Sequence, residues 1–359
     1  MAKNKIFPVF IPNAGCAKRC VFCDQHTISG VECVPSAAEL SALIPEDLDH
    51  DTELAFYGGT FTALKEENRL AYLRFAHDLK ERGRIGAIRL STHPAYIDEA
   101  IVAELIRYGV DLVELGIESL DDEVLEAAGR GCDEETIYRA VNGLRQAGMA
   151  WGAQLMVGLP LDSREKSVAS VLKLLPLKPR LARIYPTLVL KGTRLATMWR
   201  EDRYDPLSLD EAVATAAAMY ALFRRARIPV IRMGLQPTSE IRFGSEELLA
   251  GPFHPGFGHL VRCKLKLDQM EALLENCEEG AVRIVAPKDD LPLLFGDGGG
   301  NIAALAKKRK ISVGEANLPL GTIALTPYDK KKTDVFLGVL SEENFLEDYT
   351  KKDRSDFCI

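Results

Sequence analysis

Three cysteines stand within eight residues, Cys16-Ala17-Lys18-Arg19-Cys20-Val21-Phe22-Cys23. Thiolates this close bind a soft metal or an iron–sulfur cluster, since sulfur is a soft ligand and crowded negative charge calls for a cation. Three is the informative number. A structural zinc takes four ligands, and the next cysteine, Cys33, lies ten residues on without a CxxC partner. A four-iron cube held by three cysteines leaves one iron open to a small molecule. A zinc knuckle completed by His26 or Cys33 is the competing reading. Cys263, Cys277 and Cys358 lack ligand spacing and read as ordinary thiols of a reducing compartment, while Cys132, close behind Arg130-Gly131, is a candidate for the mouth of the site.

Three further segments have residue types suited to holding a polar ligand. In Tyr57-Gly58-Gly59-Thr60-Phe61 the paired glycines let backbone groups approach closely and the threonine adds a hydroxyl. Leu115-Gly116-Ile117-Glu118-Ser119 supplies a carboxylate suited to a ribose diol or an ammonium group. Leu155-Met156-Val157-Gly158-Leu159-Pro160 follows Gln154. Each alone is an ordinary strand-ending turn. Together they outline a pocket, provided the fold brings their strand ends to one place.

The elements that would do so alternate from Ile6 to about Gln236. Strands are expected at Ile6–Ile11, Glu53–Tyr57, Ala87–Thr92, Leu112–Ile117, Gly152–Val157, Ala182–Leu188 and Pro229–Met233, with helices near Lys65–Arg82, Ile97–Tyr108, Glu134–Ala147, Arg164–Leu175 and Leu209–Arg225. Asp121 and Ser208 read as helix N-caps, and Gly83, Gly109 and Gly148 as residues just past helix ends. This is an α/β chain with a partial or complete (β/α) TIM-type barrel, whose strand C-termini share one mouth; a doubly wound open sheet is the alternative. Residues 1–238 form the barrel and 239–278 an extension in which a Gly/Pro/His-rich loop at 251–260 precedes a helix at Leu267–Glu275. Residues 279–359 form a small α+β module, with a frayed charged tail from Asp348.

Composition excludes several classes. The 359 residues are 47% hydrophobic and 27% charged, with net charge −7, an ordinary globular balance rather than a disordered or coiled-coil one. No apolar run approaches the roughly 20 residues of a membrane span, and no secretory leader precedes Pro12, so the chain reads as cytoplasmic and without a membrane partner. The acidic balance disfavours whole-surface binding of a polyanion while leaving room for a local basic patch.

With the motifs in view, CxxxCxxC, then GGT, GIES and GLP at successive strand ends, the chain resembles the radical S-adenosylmethionine (SAM) enzymes. It is most similar to the branch containing the elongator catalytic subunit and the oxygen-independent coproporphyrinogen oxidases. Tyr185-Pro186-Thr187-Leu188-Val189-Leu190-Lys191-Gly192-Thr193 and Ile231-Arg232-Met233-Gly234-Leu235-Gln236 look elongator-like. The resemblance implies that Cys16, Cys20 and Cys23 ligate a [4Fe-4S] cluster whose open iron chelates S-adenosyl-L-methionine. It also implies that Phe22 packs near the adenine and that Gly58, Gly59 and Thr60 hold the SAM amino group. Ser91, Glu118 and Gln154 would then contact ribose or amino group, and Arg130 the carboxylate. Two positions depart: Ser91 stands where relatives often carry glutamate, and His93 where they often carry arginine. A low-potential electron donor of flavodoxin or ferredoxin type would start reductive cleavage of SAM to a 5′-deoxyadenosyl radical.

The substrate is less legible. The elongator-like segments suggest RNA, in particular tRNA, although the chain after residue 262 is too short for the acetyltransferase domain of the elongator subunit. In the C-terminal part, strand, helix, Gly296-Asp297-Gly298-Gly299, helix and strand follow the order of a KH-type RNA-binding module. Against it stand Asp297, where phosphate should sit, and a tail from residue 301 with ten basic and nine acidic residues; a structural glycine turn is the alternative. Tyr185 and Lys191 are the expected catalytic, substrate-side residues. His254 and His259 either line the entrance or bond within their loop. A small-molecule or tetrapyrrole substrate, and a non-catalytic iron–sulfur or zinc scaffold, are the two other functional readings.

Overall fold

The computed structural model describes residues 5–275, 277–278, 280–328 and 336–355; Cys358 and the last residues of the expected frayed tail lie outside them. The chain lays down β1 (Lys5–Phe10), β2 (Thr52–Tyr57), β3 (Ala87–Thr92), β4 (Leu112–Glu118), β5 (Ala150–Val157), β6 (Leu181–Pro186), a two-residue β7 (Val189–Leu190) and β8 (Val230–Met233). All but β7 form one parallel sheet in the order β1-β2-β3-β4-β5-β6-β8. Among the described residues β1 pairs only with β2 and β8 only with β6, so the barrel is the partial form of the two expected. Every expected strand of this sheet is present, with ends within two residues.

Sequence chemistry explains the layering. Helices Glu66–Glu81, Glu99–Arg107, Glu134–Gln146, Arg164–Leu174 and Leu209–Arg225 connect the strands and cover the outer face. Ser208 accepts from the Glu211 amide while Glu211 reaches back to Ser208, a reciprocal cap that fixes the start of the last of these. The core between the layers includes Leu54, Phe56, Phe61, Leu73, Ile88 and Leu90, all fully buried. Phe56, Phe61 and Tyr72 pack as a tilted aromatic trio with centroids 4.9–6.2 Å apart. Because strand side chains alternate, the inner face receives a different set: Arg89 and Ser91, Glu114 and Gly116, Gln154 and Met156, Arg183 and Tyr185.

The second sheet has the order β11 (Lys310–Glu315), β10 (Ala281–Ala286), β12 (Ile323–Pro327), β13 (Gly338–Leu340). β10 and β11 are parallel and the other pairs antiparallel. The expected strand–helix–glycine turn–helix–strand order is present, and Asn301 gives the turn a packing reason: it is buried, donates to Cys263 O and Leu293 O, and would collide with any Cβ on Gly296.

Three expectations are corrected. The helix expected from Leu267 begins at Phe257 inside the Gly/Pro-rich stretch, because Phe257 and Val261 bury against the barrel. The tail is a helix, Glu342–Ser355, over its described part: Phe345, Leu346 and Thr350 are buried and Arg225 donates to Thr350 at 2.7 Å. The sixth strand stops at Pro186; β7 then pairs with β9 (Leu248–Ala250) in a separate ribbon, which carries Lys191 away from the barrel interior.

Burial of the C-terminal helix is testable. Phe345→Ala is expected to cost about 3 kcal/mol in urea unfolding, from lost transfer energy plus a cavity, whereas Ile106→Ala, at a half-exposed site, should stay within about 0.5 kcal/mol.

Candidate active site

The loop from Asn13 to Asp24 follows β1 and is tied to the next strand end: Asn13 N donates to Gly58 O at 2.7 Å and Thr60 N to Ala14 O at 2.8 Å. Gly59 is required by that closeness, since a Cβ there would stand 2.5 Å from Ala14 O and 2.7 Å from Ile11 O. Gly58 has φ +88, a conformation glycine takes without cost. The cysteine loop and the GGT turn are thereby one unit.

Cys16, Cys20 and Cys23 line a single cavity of about 530 Å3, within the range of cofactor and substrate pockets. Thr60 Oγ1 lies 3.2 Å from Cys16 Sγ, Gln25 Nε2 donates to Cys23 Sγ at 3.3 Å, and Arg130 Nη1 donates to Cys20 Sγ at 3.2 Å. Burial pushes the Cys23 thiol up to about 12, helped by the neighbouring Cys20 and Cys16. Three thiolates crowded in one wall repel each other unless a polyvalent cationic centre lies between them, which is what an iron cube provides. Neither candidate fourth ligand of a zinc knuckle lines the cavity with them: His26 and Cys33 both stand outside its wall, and Cys33 is exposed. Among the described residues no three His, Cys, Asp or Glu side chains gather as ligands of a single ion; thiols holding separate corners of a cube stand wider apart than that.

The other expected contacts converge here. Phe22, Gly58, Gly59, Thr60, Ser91, Glu118, Arg130, Gln154 and Tyr185 all line the cavity. Glu118 sits at a register shift at the end of β4 with φ +65, a strained backbone that turns its carboxylate inward. Gln154 Nε2 donates to it at 3.1 Å and Arg130 is 4.0 Å away; burial raises its carboxyl above the ordinary range. Arg130 also donates to Gly116 O in a short contact, and among the described residues its Nε finds no hydrogen-bond partner. A buried guanidinium with one donor unused, beside a carboxylate and a thiol, suits a ligand carrying both carboxylate and ammonium. His93 Nδ1 accepts from Ala95 N at 3.0 Å and Nε2 faces Arg130 O at 2.8 Å, which assigns the neutral Nε2–H tautomer.

Lys191 does not join the site: its ammonium is half-exposed and pairs with Glu247 at 3.3 Å and Glu246 at 3.8 Å. His254 takes the loop reading, its Nδ1 accepting from Gly256 N, whereas His259 lies on the helix Phe257–Glu275 and faces Cys263 Sγ one turn on. Sequence reasoning missed Tyr57, Arg89, Glu114, Arg183 and Arg232. Their signal is present in the strands: Ala87-Ile-Arg-Leu-Ser-Thr92, Leu112-Val-Glu-Leu115, Leu181-Ala-Arg-Ile184 and Val230-Ile-Arg-Met233 each carry a lone charge in an apolar run. A charge at that position needs an inward-facing partner.

Two family models cover most of the barrel: the radical SAM superfamily matches residues 10–171 and the radical SAM C-terminal domain residues 179–267. The chain belongs to the radical SAM superfamily. It is an enzyme of that superfamily, and its cofactors are a [4Fe-4S] cluster and SAM. It is 29% identical over 191 residues to a tRNA uridine(34) acetyltransferase of Methanocaldococcus jannaschii, covering 47% of this chain and 35% of that one. It is 25% identical over 214 residues to Elongator complex protein 3 of Danio rerio, covering 51% and 39%. The chain thus spans little more than a third of the length of these relatives. The structure of the archaeal Elp3 of Methanocaldococcus infernus superposes with a TM-score of 0.55 at 22% identity, covering 73% of this chain and 63% of that one, a likeness of fold. Among the described residues no helix is long and apolar enough to cross a membrane.

The His93 environment predicts a pH dependence. Burial, then the Arg130 charge, lower its basicity to about 4, so the fold favours the neutral ring. Its contribution is complete above the unfolded value near 6.5 and is lost as pH falls through about 4. In unfolding titrations between pH 7 and 4 the His93→Gln variant should lose stability less steeply than the parent; parallel slopes would sink the assignment.

Proposed function

We propose that this enzyme cleaves SAM reductively and uses the resulting chemistry to modify RNA of the transfer-RNA class. When bound, the cluster and SAM supply one-electron cleavage of the sulfonium C–S bond, driven by a low-potential donor of flavodoxin or ferredoxin type. The chain's own residues do the rest. Cys16, Cys20 and Cys23 would hold the cluster and leave one iron for SAM. Gly58, Gly59 and Thr60 would receive the SAM amino group, Arg130 its carboxylate, Ser91, Glu118 and Gln154 the ribose or amino group, and Phe22 the adenine. Arg130, donating to Cys20 Sγ, would also withdraw charge from a ligand sulfur, which tunes cluster potential. The apolar surround of Val21, Phe22, Leu159 and Val189 keeps water from a reactive species.

The observation that carries the RNA reading is the placement of charge. In a chain of net −7, exposed Lys18 and Arg19 stand on the cysteine loop and line the cavity, with Arg232 on its wall. Cations at the mouth suit phosphates of a large ligand whose reacting group alone enters. The sequence likeness to tRNA-modifying relatives across the barrel supports the same reading.

Two outcomes are expected. Cys20→Ala should lose the brown iron–sulfur absorbance and all 5′-deoxyadenosine formation with dithionite; survival of that product would remove the cluster assignment. Lys18→Glu combined with Arg19→Glu should weaken filter binding of bulk tRNA by about tenfold or more at low salt, each lost phosphate contact also flattening the salt dependence. No tRNA binding by the parent enzyme would favour a small-molecule substrate instead.

A further inference from the structure

Arg183 on the inner wall of the cavity belongs to a network of three buried charges, with Arg89 and Glu114, and the partly buried Glu53, which the cluster and SAM do not use. Arg183 reaches Glu114 Oε2 through Nε at 2.5 Å, donates from Nη2 to Tyr57 OH at 2.6 Å and Glu114 Oε1 at 3.1 Å, and donates from Nη1 to Tyr185 OH at 3.1 Å. Arg89 pairs with Glu114 at 3.1 Å and Glu53 at 2.6 Å. Tyr57 OH donates to Glu114 Oε1 at 2.8 Å, and the Arg183 guanidinium lies 4.8 Å over its ring centroid. Two cations face two carboxylates, so the assembly is neutral, and each Arg183 nitrogen lies within 3.1 Å of an oxygen of Glu114, Tyr57 or Tyr185. Tyr57 both gives and accepts a hydrogen bond. Tyr185 differs: its oxygen accepts from Arg183, while among the described residues its own hydrogen meets no acceptor, and its side chain lines the cavity.

We infer that this end of the cavity is a substrate subsite for an uncharged carbonyl group, with Tyr185 donating the hydrogen bond and Arg183 positioning Tyr185. An anionic group pressed here would be desolvated beside Glu114, and both guanidiniums that face this carboxylate are already paired with it, a costly burial. A neutral carbonyl needs one donor, and one is on offer. Phosphates of the same substrate belong at the mouth with Lys18 and Arg19. The subsite rests on the RNA reading only for its choice of probe.

The test uses the reconstituted holoenzyme with SAM present, and compares uridine, a neutral cyclic imide, with orotidine, which carries a ring carboxylate. By equilibrium dialysis uridine should bind and orotidine should bind at least about tenfold more weakly, as expected when a charge is buried unpaired. Tyr185→Phe should weaken uridine by about fivefold or more and leave SAM affinity within about twofold. Arg183→Lys keeps the charge but cannot fork between two phenols, so it should resemble Tyr185→Phe. A purely charge-balancing role would leave it binding uridine as the parent does, and would overturn the positioning assignment. Orotidine binding as well as uridine, absent uridine binding, or indifference to Tyr185→Phe would each overturn the subsite. Absent tRNA binding with Tyr185-dependent uridine binding intact would count against the RNA reading and spare the subsite.

Discussion

Glu114, wedged between the guanidiniums of Arg89 and Arg183 on the inner face of the sheet, is the interaction on which the interior depends. All three are buried, and each is stabilised by the others. Losing one partner of such a group typically costs about 3–5 kcal/mol, because the survivor stays buried and unpaired. The arrangement therefore holds β2, β3, β4 and β6 in one mutual register and gives the cavity an inner end with no charge to spare. A closed barrel packed with aliphatic side chains would be easier to fold. The charged interior is consistent with a cavity that must remain open and polar.

The cofactor end obeys a different constraint, the approach of two loops that are far apart in the chain. Gly59 admits the backbone of the cysteine loop, and through it the thiols share one cavity with Glu118 at the end of β4, Gln154 on β5 and Arg130 in the loop after helix Asp122–Ala127. Burial makes a bare thiolate unfavourable at Cys23, a cost that attraction to a bound cationic cluster core would offset. Arg130 links the two ends of this logic, touching Cys20 on one side and approaching Glu118 on the other. Local strain at Glu118 is tolerated because neighbouring side chains hold its carboxylate in place.

The C-terminal module is joined to the barrel by more than its linker. The helix beginning at Phe257 runs from barrel to second sheet, and the last helix lies back on Leu209–Arg225 through Phe345, Leu346 and Arg224–Glu342. Its glycine turn has a structural reason in Asn301 at Gly296, while Gly298 and Gly299 face open space.

The sequence alone determined the alternation of strands and helices, because burial on both faces of a parallel sheet leaves continuous apolar runs that helix caps punctuate. It also determined the cysteine loop and the glycine, GIES and GLP turns, since short-range spacing is enough to mark a ligand set. Tertiary structure alone decided which lone strand charges meet: Arg89, Glu114 and Arg183 become one network only when strands distant in the chain are placed side by side. It decided, too, that Lys191 leaves the interior, because β7 prefers a partner in β9 to the sheet edge, and that the start of the charged tail continues a helix, because Phe345 and Leu346 just before it bury against the barrel helix Leu209–Arg225. Pairing across long sequence separations depends on packing, and no local pattern encodes it.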